Sequence, residues 1–291
     1  MKHLWKIFGL VALVLFYGCD RIESGNGRAS FYLTDGPLEA ENVSEVVISI
    51  SKVEVFGPEG WTTVKEYENP EAINLLELQG GETFFLDEKE LTSGLYDQIR
   101  LGLAASATSG ASENPPHYVK FNDESVEEIF IPSGNQTGYK LVGDFTIPDG
   151  GVTSIIIDFD VRKSVVKAGN SGQFILKPTL RLIEDADVGS IEGSVTGEFD
   201  SNLVVYAYND GEYSENEKEP DADGVVFANA VTSSNVDAEG NYNLSFLPSG
   251  TYDIVVASFD AEGNFIEVKT QENDVELEAG VKLDLNIELT L

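Results

Sequence analysis

The chain has 291 residues, with 51 acidic and 18 basic side chains and a formal net charge of −33. A single cysteine excludes an internal disulfide and a cysteine–histidine zinc site, and so acidic a surface repels nucleic acid. The 42% apolar and 10% aromatic content can fill folded cores, and the length suggests two domains.

Lys2, His3 and Lys6 give a positive start, and residues 7–17 are apolar apart from Gly9. That run suits a signal-peptide core and is too short to span a membrane, which takes about 20 apolar residues. Phe16-Tyr17-Gly18-Cys19 then resembles a bacterial lipobox. Gly18 is the small residue before the cysteine, while Phe16 and Tyr17 depart from the usual leucine and small residue. The resemblance implies a lipoprotein signal peptide over 1–18 and acylation of Cys19, which would tie the chain to membrane lipid. Each buried methylene contributes roughly 0.8 kcal/mol to such an anchor. Residues 19–28 read as a polar tether. The expected location is exported and membrane-anchored, at the outer membrane or cell surface ahead of the inner membrane.

From residue 29 onward apolar residues alternate with polar ones between turn residues, which predicts strands. Expected strands cover 30–34, 46–56, 61–64, 96–104, 118–121, 126–131, 139–147, 154–161 and 173–183. Short helices are expected only at 71–78 and 86–91. Residues 184–189 break the pattern as a linker. A second strand series follows at 191–196, 203–208, 224–231, 242–246, 252–258, 265–269 and 281–289. The fold class is therefore all-β, with two β-sandwich domains in tandem, 29–185 and 186–291, the second transthyretin-like or Ig-like. Residues 184–291 hold 25 acids against three bases, so the acidity lies chiefly in the second domain. Leu91-Thr92-Ser93-Gly94-Leu95-Tyr96-Asp97 parallels Leu247-Pro248-Ser249-Gly250-Thr251-Tyr252-Asp253. Both read as strand starts in which the tyrosine packs inward and its hydroxyl caps nearby backbone.

Residues 29–183 resemble a bacterial lipoprotein family known only as domain of unknown function 4382. The resemblance rests on Phe31-Tyr32-Leu33-Thr34-Asp35-Gly36-Pro37, Ile73-Asn74-Leu75-Leu76-Glu77-Leu78, Gly94-Leu95-Tyr96-Asp97-Gln98-Ile99-Arg100-Leu101 and Asp158-Phe159-Asp160-Val161-Arg162-Lys163-Ser164. It implies an exported β-rich domain and brings no known activity. Residues 189–291 look like a carboxypeptidase-regulatory-like module, through Ile191-Glu192-Gly193-Ser194-Val195, Asp237-Ala238-Glu239-Gly240-Asn241-Tyr242 and Leu247-Pro248-Ser249-Gly250-Thr251-Tyr252. Such modules serve as spacers or binding appendages, and related folds bind starch, so carbohydrate binding is a fold-level analogy.

Two constellations carry chemistry. Strand 155–162 places Asp158, Asp160 and Arg162 on one face, and Lys163, Arg100 and Lys177 could join them in a polar binding site for a glycan or protein ligand. The bland reading is a solvated face with cross-strand charge pairs. The loop 209–224 is rich in carboxylates, and Asp210, Asp221 and Asp223 are calcium candidates, Asp221-Ala222-Asp223-Gly224 echoing a calcium loop. A flexible acidic loop is the alternative. No other cofactor is expected. His117, in a proline-marked segment, reads as a surface histidine rather than a general base. The expectation is a non-catalytic envelope or surface lipoprotein with a structural, adhesive or binding role. A carbohydrate-binding protein for glycan capture is the second reading, and a glycan-active hydrolase the third.

Overall fold

The computed structural model describes residues 25–36, 42–105, 115–132, 138–168, 172–197 and 202–289. Cys19 and the signal segment lie outside these residues. No described helix is long and apolar enough to cross a membrane.

The chain folds as tandem β-sandwiches. The first contains β1 (Asn26–Gly36), β2 (Val43–Gly57), β3 (Gly60–Asn74), β4 (Phe84–Thr92), β5 (Gly94–Leu103), β6 (Tyr118–Phe121), β7 (Val126–Phe130), β8 (Tyr139–Ile147), β9 (Val152–Asp160), β10 (Val165–Lys167), β11 (Phe174–Leu176) and β12 (Leu180–Glu184). One sheet runs β12-β9-β1-β4, and the other runs β10-β11-β7-β6-β2-β5-β8 with β3 paired to β2. Phe31, Ile48, Ile50, Val55, Ile99, Phe145, Ile157 and Phe159 form part of the shared core. Because β1 begins at Asn26, the segment expected to be tether up to residue 28 already pairs with β4.

The second sandwich contains β13 (Val188–Thr196), β14 (Asn202–Asn209), β15 (Thr232–Asn235), β16 (Asn241–Pro248), β17 (Gly250–Phe259), β18 (Phe265–Leu277), β19 (Lys282–Asp284) and β20 (Ile287–Glu288). Its sheets are β16-β13-β19, with β20 also on β13, and β15-β14-β17-β18. Ile191, Leu203, Val205, Leu244, Ile254 and Val256 fill the space between them. Strands β14 and β17 are buried on both faces, which explains their near-continuous apolar sequence. Their outer residues, Tyr206, Tyr208 and Phe259 among them, lie beneath Phe227 and Ala230. Residues 224–231 were expected to be a strand. They are instead this irregular cover, whose Val226, Phe227 and Ala230 pack onto the sheet and whose Val231 N–H donates to the Ala207 carbonyl.

Other departures from the expected elements are local. Residues 86–91 belong to β4, where a bulge between the partners of Phe31 and Tyr32 skips Leu86 and breaks the alternation. Residues 71–74 continue β3, and only Leu75–Leu78 turns helically, as a 3-10 helix whose N-cap Asn74 accepts from the Leu76 N–H. The stretches 173–183 and 281–289 each divide into two short strands. His117 is fully buried, not a surface residue. Its Nδ1 accepts from the Ser49 N–H at 3.1 Å and its Nε2 donates to the Ala104 carbonyl at 2.9 Å, so one neutral ring joins two backbone segments. Burial holds its pKa below the usual histidine value, with the Ala104 hydrogen bond acting in the other direction.

The two parallel heptapeptides adopt the same device. Tyr96 donates to the Thr92 carbonyl at 2.9 Å, and Tyr252 donates to the Pro248 carbonyl at 2.5 Å, each reaching four residues back. Both rings are 2% exposed, so these hydroxyls cap the turn before a central strand.

Candidate functional site

The charged segment 158–163 does not form a single solvated face. β9 ends at Asp160, and Val161–Ser164 makes one turn of helix (α1). Asp160 caps that turn by accepting from the Lys163 N–H at 3.3 Å, while Asp35 of β1 accepts from the Val161 N–H at 3.0 Å. The turn reverses the pattern that sequence alternation extrapolates, and Arg162 becomes buried at 4% exposure.

Asp158 pairs across the sheet with Arg181, its register partner on β12, through contacts of 2.8 and 3.0 Å. Burial raises its pKa, and Arg181 offsets that only in part, with Asp160 adding repulsion. For Asp160, burial also opposes the charge, but Arg162 and Lys163 together outweigh it and hold the carboxyl below its usual range. Its Oδ2 lies 3.3 Å from Arg162 and 3.0 Å from Lys163 Nζ. Asp35 is raised well above the usual carboxylate range, chiefly by burial. The Val161 N–H and Arg162 lower it, while Asp158 and Asp160 raise it further.

This cluster faces the second sandwich. Lys163 Nζ donates to the Ala230 carbonyl at 3.1 Å, the Arg162 guanidinium lies 5.3 Å from the Tyr206 ring centre, and Lys177 pairs with Asp223. Asn243 of β16 donates back to the Gly80 carbonyl at 2.7 Å. Ile156, Ile183 and Val188 form an apolar knot beside them, packed by Tyr32 and Phe246. Thus five of the six proposed binding residues, Asp158, Asp160, Arg162, Lys163 and Lys177, gather at the junction between the sandwiches. Arg100 does not. It pairs with Glu54 at 3.2 Å and lies 3.7 Å over the Trp61 ring, on the sheet formed by β2, β3 and β5.

Beside the junction runs a cleft of about 400 Å³ lined by Glu82, Asp185, Ser190, Asn243, Phe246 and Lys282, among others. Gly81 lies so close to Ser245 that a Cβ there would come within 2.6 Å of its Oγ. Phe246 has a left-handed backbone, φ 55°, an uncommon conformation for a bulky residue.

Several carboxylates of 209–224 are engaged within the protein. Asp221 Oδ1 accepts the N–H groups of Asp223 and Val225, both at 2.9 Å, and Asp223 pairs with Lys177. Asp237 and Asp260 make the same pattern with the N–H groups two and four residues on. The tetrapeptides Asp221-Ala222-Asp223-Gly224, Asp237-Ala238-Glu239-Gly240 and Asp260-Ala261-Glu262-Gly263 are one recurring turn, each with its glycine at positive φ. Asp221-Ala222-Asp223-Gly224, the calcium-loop echo, is one of these turns. Asp210 is exposed and engages backbone, its N–H donating to the Thr251 carbonyl. Among the described residues no group of three or more His, Cys, Asp or Glu could hold a metal ion.

Nor is the loop merely a flexible acidic one. Glu217 is 9% exposed and accepts from the Tyr208 hydroxyl at 3.1 Å, the Asn229 N–H at 2.9 Å and the Asn229 amide at 2.5 Å. Burial, followed by the Glu217 charge, raises the Tyr208 pKa far above normal. Glu217 is a structural anchor that the sequence hid among its acidic neighbours. Its signal was the apolar Val225-Val226-Phe227 run that must fold back over it.

Known structures give only distant likenesses. The TIE protein of Bacillus anthracis aligns at 11% identity over 90% of this chain and 33% of its own, with a TM-score of 0.20. The chain thus spans about a third of that protein's length. The major pilin subunit of Bacillus cereus aligns at 10% identity over 91% of this chain and 70% of its own, TM-score 0.24. The fimbrial anchor protein of Porphyromonas gingivalis does so at 11% identity over 84% and 82%, TM-score 0.18. No curated protein matches the sequence. The sequence of the first sandwich is decisive for kinship: residues 26–178, more than half the chain, match Domain of unknown function (DUF4382), and the chain belongs to that family.

Proposed function

We propose that this protein is an exported, lipid-anchored bacterial surface lipoprotein with a non-catalytic structural or adhesive role. In this reading Cys19 is acylated and tethers a first domain ending near residue 185. The second domain, from 186, is a carboxypeptidase-regulatory-like spacer that extends from it. The observation that carries the reading is the use of the charged cluster. Asp158, Asp160, Arg162, Lys163 and Lys177 are engaged by one another, by Arg181 and by the second sandwich. Side chains committed in this way serve docking of the two sandwiches rather than capture of a ligand. The core aromatics follow the same logic, since Tyr206, Tyr208, Tyr252, Phe31, Phe145, Phe227 and Phe259 are fully buried, while Phe85 and Phe130 are about half exposed. Membrane fractionation tests the anchor: Cys19→Ser should move the protein from the membrane to the soluble fraction and abolish labelling by a fatty-acid analogue. Unchanged partition would refute it.

A second reading, glycan capture, draws on the junction cleft, where the Phe246 ring sits among hydroxyl, amide and carboxylate groups. A glycan array decides it. Binding that Asn243→Ala abolishes would favour this role, and an empty array would remove it.

A further inference from the structure

The outer face of the sheet made by β3, β2, β5 and β8 is left open by the second sandwich, which packs on the other sheet through Tyr32, Ile156 and Ile183. Period two sends Val53, Val55, Ile99 and Leu141 into the core and turns their neighbours outward. Strand register then sets two rows across the four strands. One row is Trp61, Phe56, Gln98 and Val142, and the other is Thr63, Glu54, Arg100 and Lys140.

The second row places two cations side by side. Arg100 and Lys140 are direct register partners, and like charges opposite each other weaken a sheet. Glu54 is the one carboxylate in the row, and Arg100 shares it with Lys52, at 3.2 and 2.9 Å. Lys140 is exposed and makes no ion pair among the described residues. Both cations approach the Trp61 ring, Arg100 at 3.7 Å and Lys140 at 5.7 Å from its centre, so the indole supports the pair from below. Val142 on the same strand as Lys140 is 78% exposed. A cation pair neutralised only in part, beside an aromatic ring and an open apolar side chain, suits an anion that also has an apolar face.

Size and charge select that anion. Four strands about 4.8 Å apart and two rows about 7 Å apart give a face of roughly 300 Å², well short of the roughly 800 Å² that each partner brings to a standard protein interface. A short run of sugar rings fits it. The Gln98 amide and Thr63 hydroxyl suit sugar hydroxyls, and the guanidinium fork matches a carboxylate. The chain's net charge of −33 does not forbid this, because charges more than about 10 Å away are largely screened at about 0.1 M salt. One charge per sugar ring is also far sparser than the one per about 1.7 Å of duplex DNA.

We propose that the Trp61–Arg100–Lys140 face binds a chain of carboxylate-bearing sugars, with Arg100 and Lys140 on the carboxylates and Trp61, Phe56 and Val142 against the rings. The site is separate from the junction cleft and needs neither the lipid anchor nor the second sandwich.

Calorimetric titration of the full-length protein in detergent, at about 0.1 M salt, with trimers of galacturonate, mannuronate and guluronate tests this. Trp5 and Trp61 are the only tryptophans, so a Trp5→Phe background makes emission a report from the site itself. The expected result is saturable binding of at least one trimer, with a change in Trp61 emission. Lys140→Ala should weaken it about fivefold, the weight of an exposed charge pair, and Lys140→Glu further. Lys140 is exposed, so neither variant disturbs the core. Lys269→Ala, which removes a cation from the second sandwich, should leave binding unchanged. The proposal is overturned if no trimer binds, if the methyl-esterified trimer binds as well as the acid, or if binding survives Lys140→Glu. Equal binding of hexaglutamate also overturns it, and assigns the face to an acidic peptide.

Discussion

Arg100 and Arg181 each sit directly across an antiparallel pair from a carboxylate, Glu54 and Asp158 respectively. In sequence the two arrangements are alike, yet their electrostatics are opposite. Burial raises Glu54, but Lys52 and Arg100 together overcome it and leave the carboxyl below its usual range. Burial raises Asp158 and Arg181 does not overcome it. The difference lies in what covers each pair. Arg100 lies over Trp61 on the first sandwich alone, whereas Asp158 lines a small polar void together with Ser233 and Asn243 of the second. A charge pair on a strand thus takes its character from the next layer of the structure, which strand periodicity does not report.

The comparison makes a direct prediction. Arg181→Ala should leave Asp158 buried without its partner and reduce stability by about 3 kcal/mol, whereas Arg100→Ala, which leaves Glu54 paired to Lys52, should lose about 1 to 2 kcal/mol with its Trp61 contact. Urea unfolding of the two variants measures both, and equal losses would erase the distinction. Glu217 and Asp221 form a second contrast within the acidic loop. Glu217→Ala strands the Tyr208 hydroxyl and the Asn229 amide, with an expected loss of about 2 kcal/mol, whereas exposed Asp221→Asn should change stability by a few tenths.

His117 carries the contrast into pH. Its pKa is depressed in the folded state, so below roughly 6.5 the unfolded chain takes up a proton that the folded one refuses. Its contribution is therefore full above that pH and declines as pH falls, by at most about 1.4 kcal/mol per unit. Asp35, with a raised folded pKa, acts in the opposite direction: the folded state binds the proton first, so acid stabilises it. Subtracting the stability profile of His117→Gln from that of the wild type should isolate the histidine slope. A flat difference would mean that the ring is not held neutral. Smaller again are the paired tyrosines. Tyr96→Phe and Tyr252→Phe should each lose about 1 kcal/mol and combine additively, being in separate sandwiches.

Much of the fold was readable because most strands have one buried face, and a period of two survives in sequences such as β8, where Leu141, Phe145 and Ile147 point inward. The tyrosine starts were readable for the same reason, as their chemistry is local. The bulge at Leu86 was not, because a skipped residue breaks the period. Residues 224–231 misled because an apolar lid and a strand share composition. Of the candidate site, the clustering of five charged residues was legible, but their shared purpose was not. The partners that give it meaning, Ala230, Tyr206 and Asp223, lie some tens of residues along the chain from the first sandwich's charges. The turn at 221–224 becomes legible by internal comparison, since the same Asp-Ala-acid-Gly sequence recurs at 237 and 260.

The central claim is that the junction charges hold the second sandwich against the first. Differential scanning calorimetry of the wild type against a Lys163→Ala, Asn243→Ala double variant tests it most directly. The account predicts coupled unfolding in the wild type, as one transition, and separation into two in the variant, which lacks the contacts to Ala230 and Gly80. A transition pattern that the two substitutions leave unchanged would contradict it.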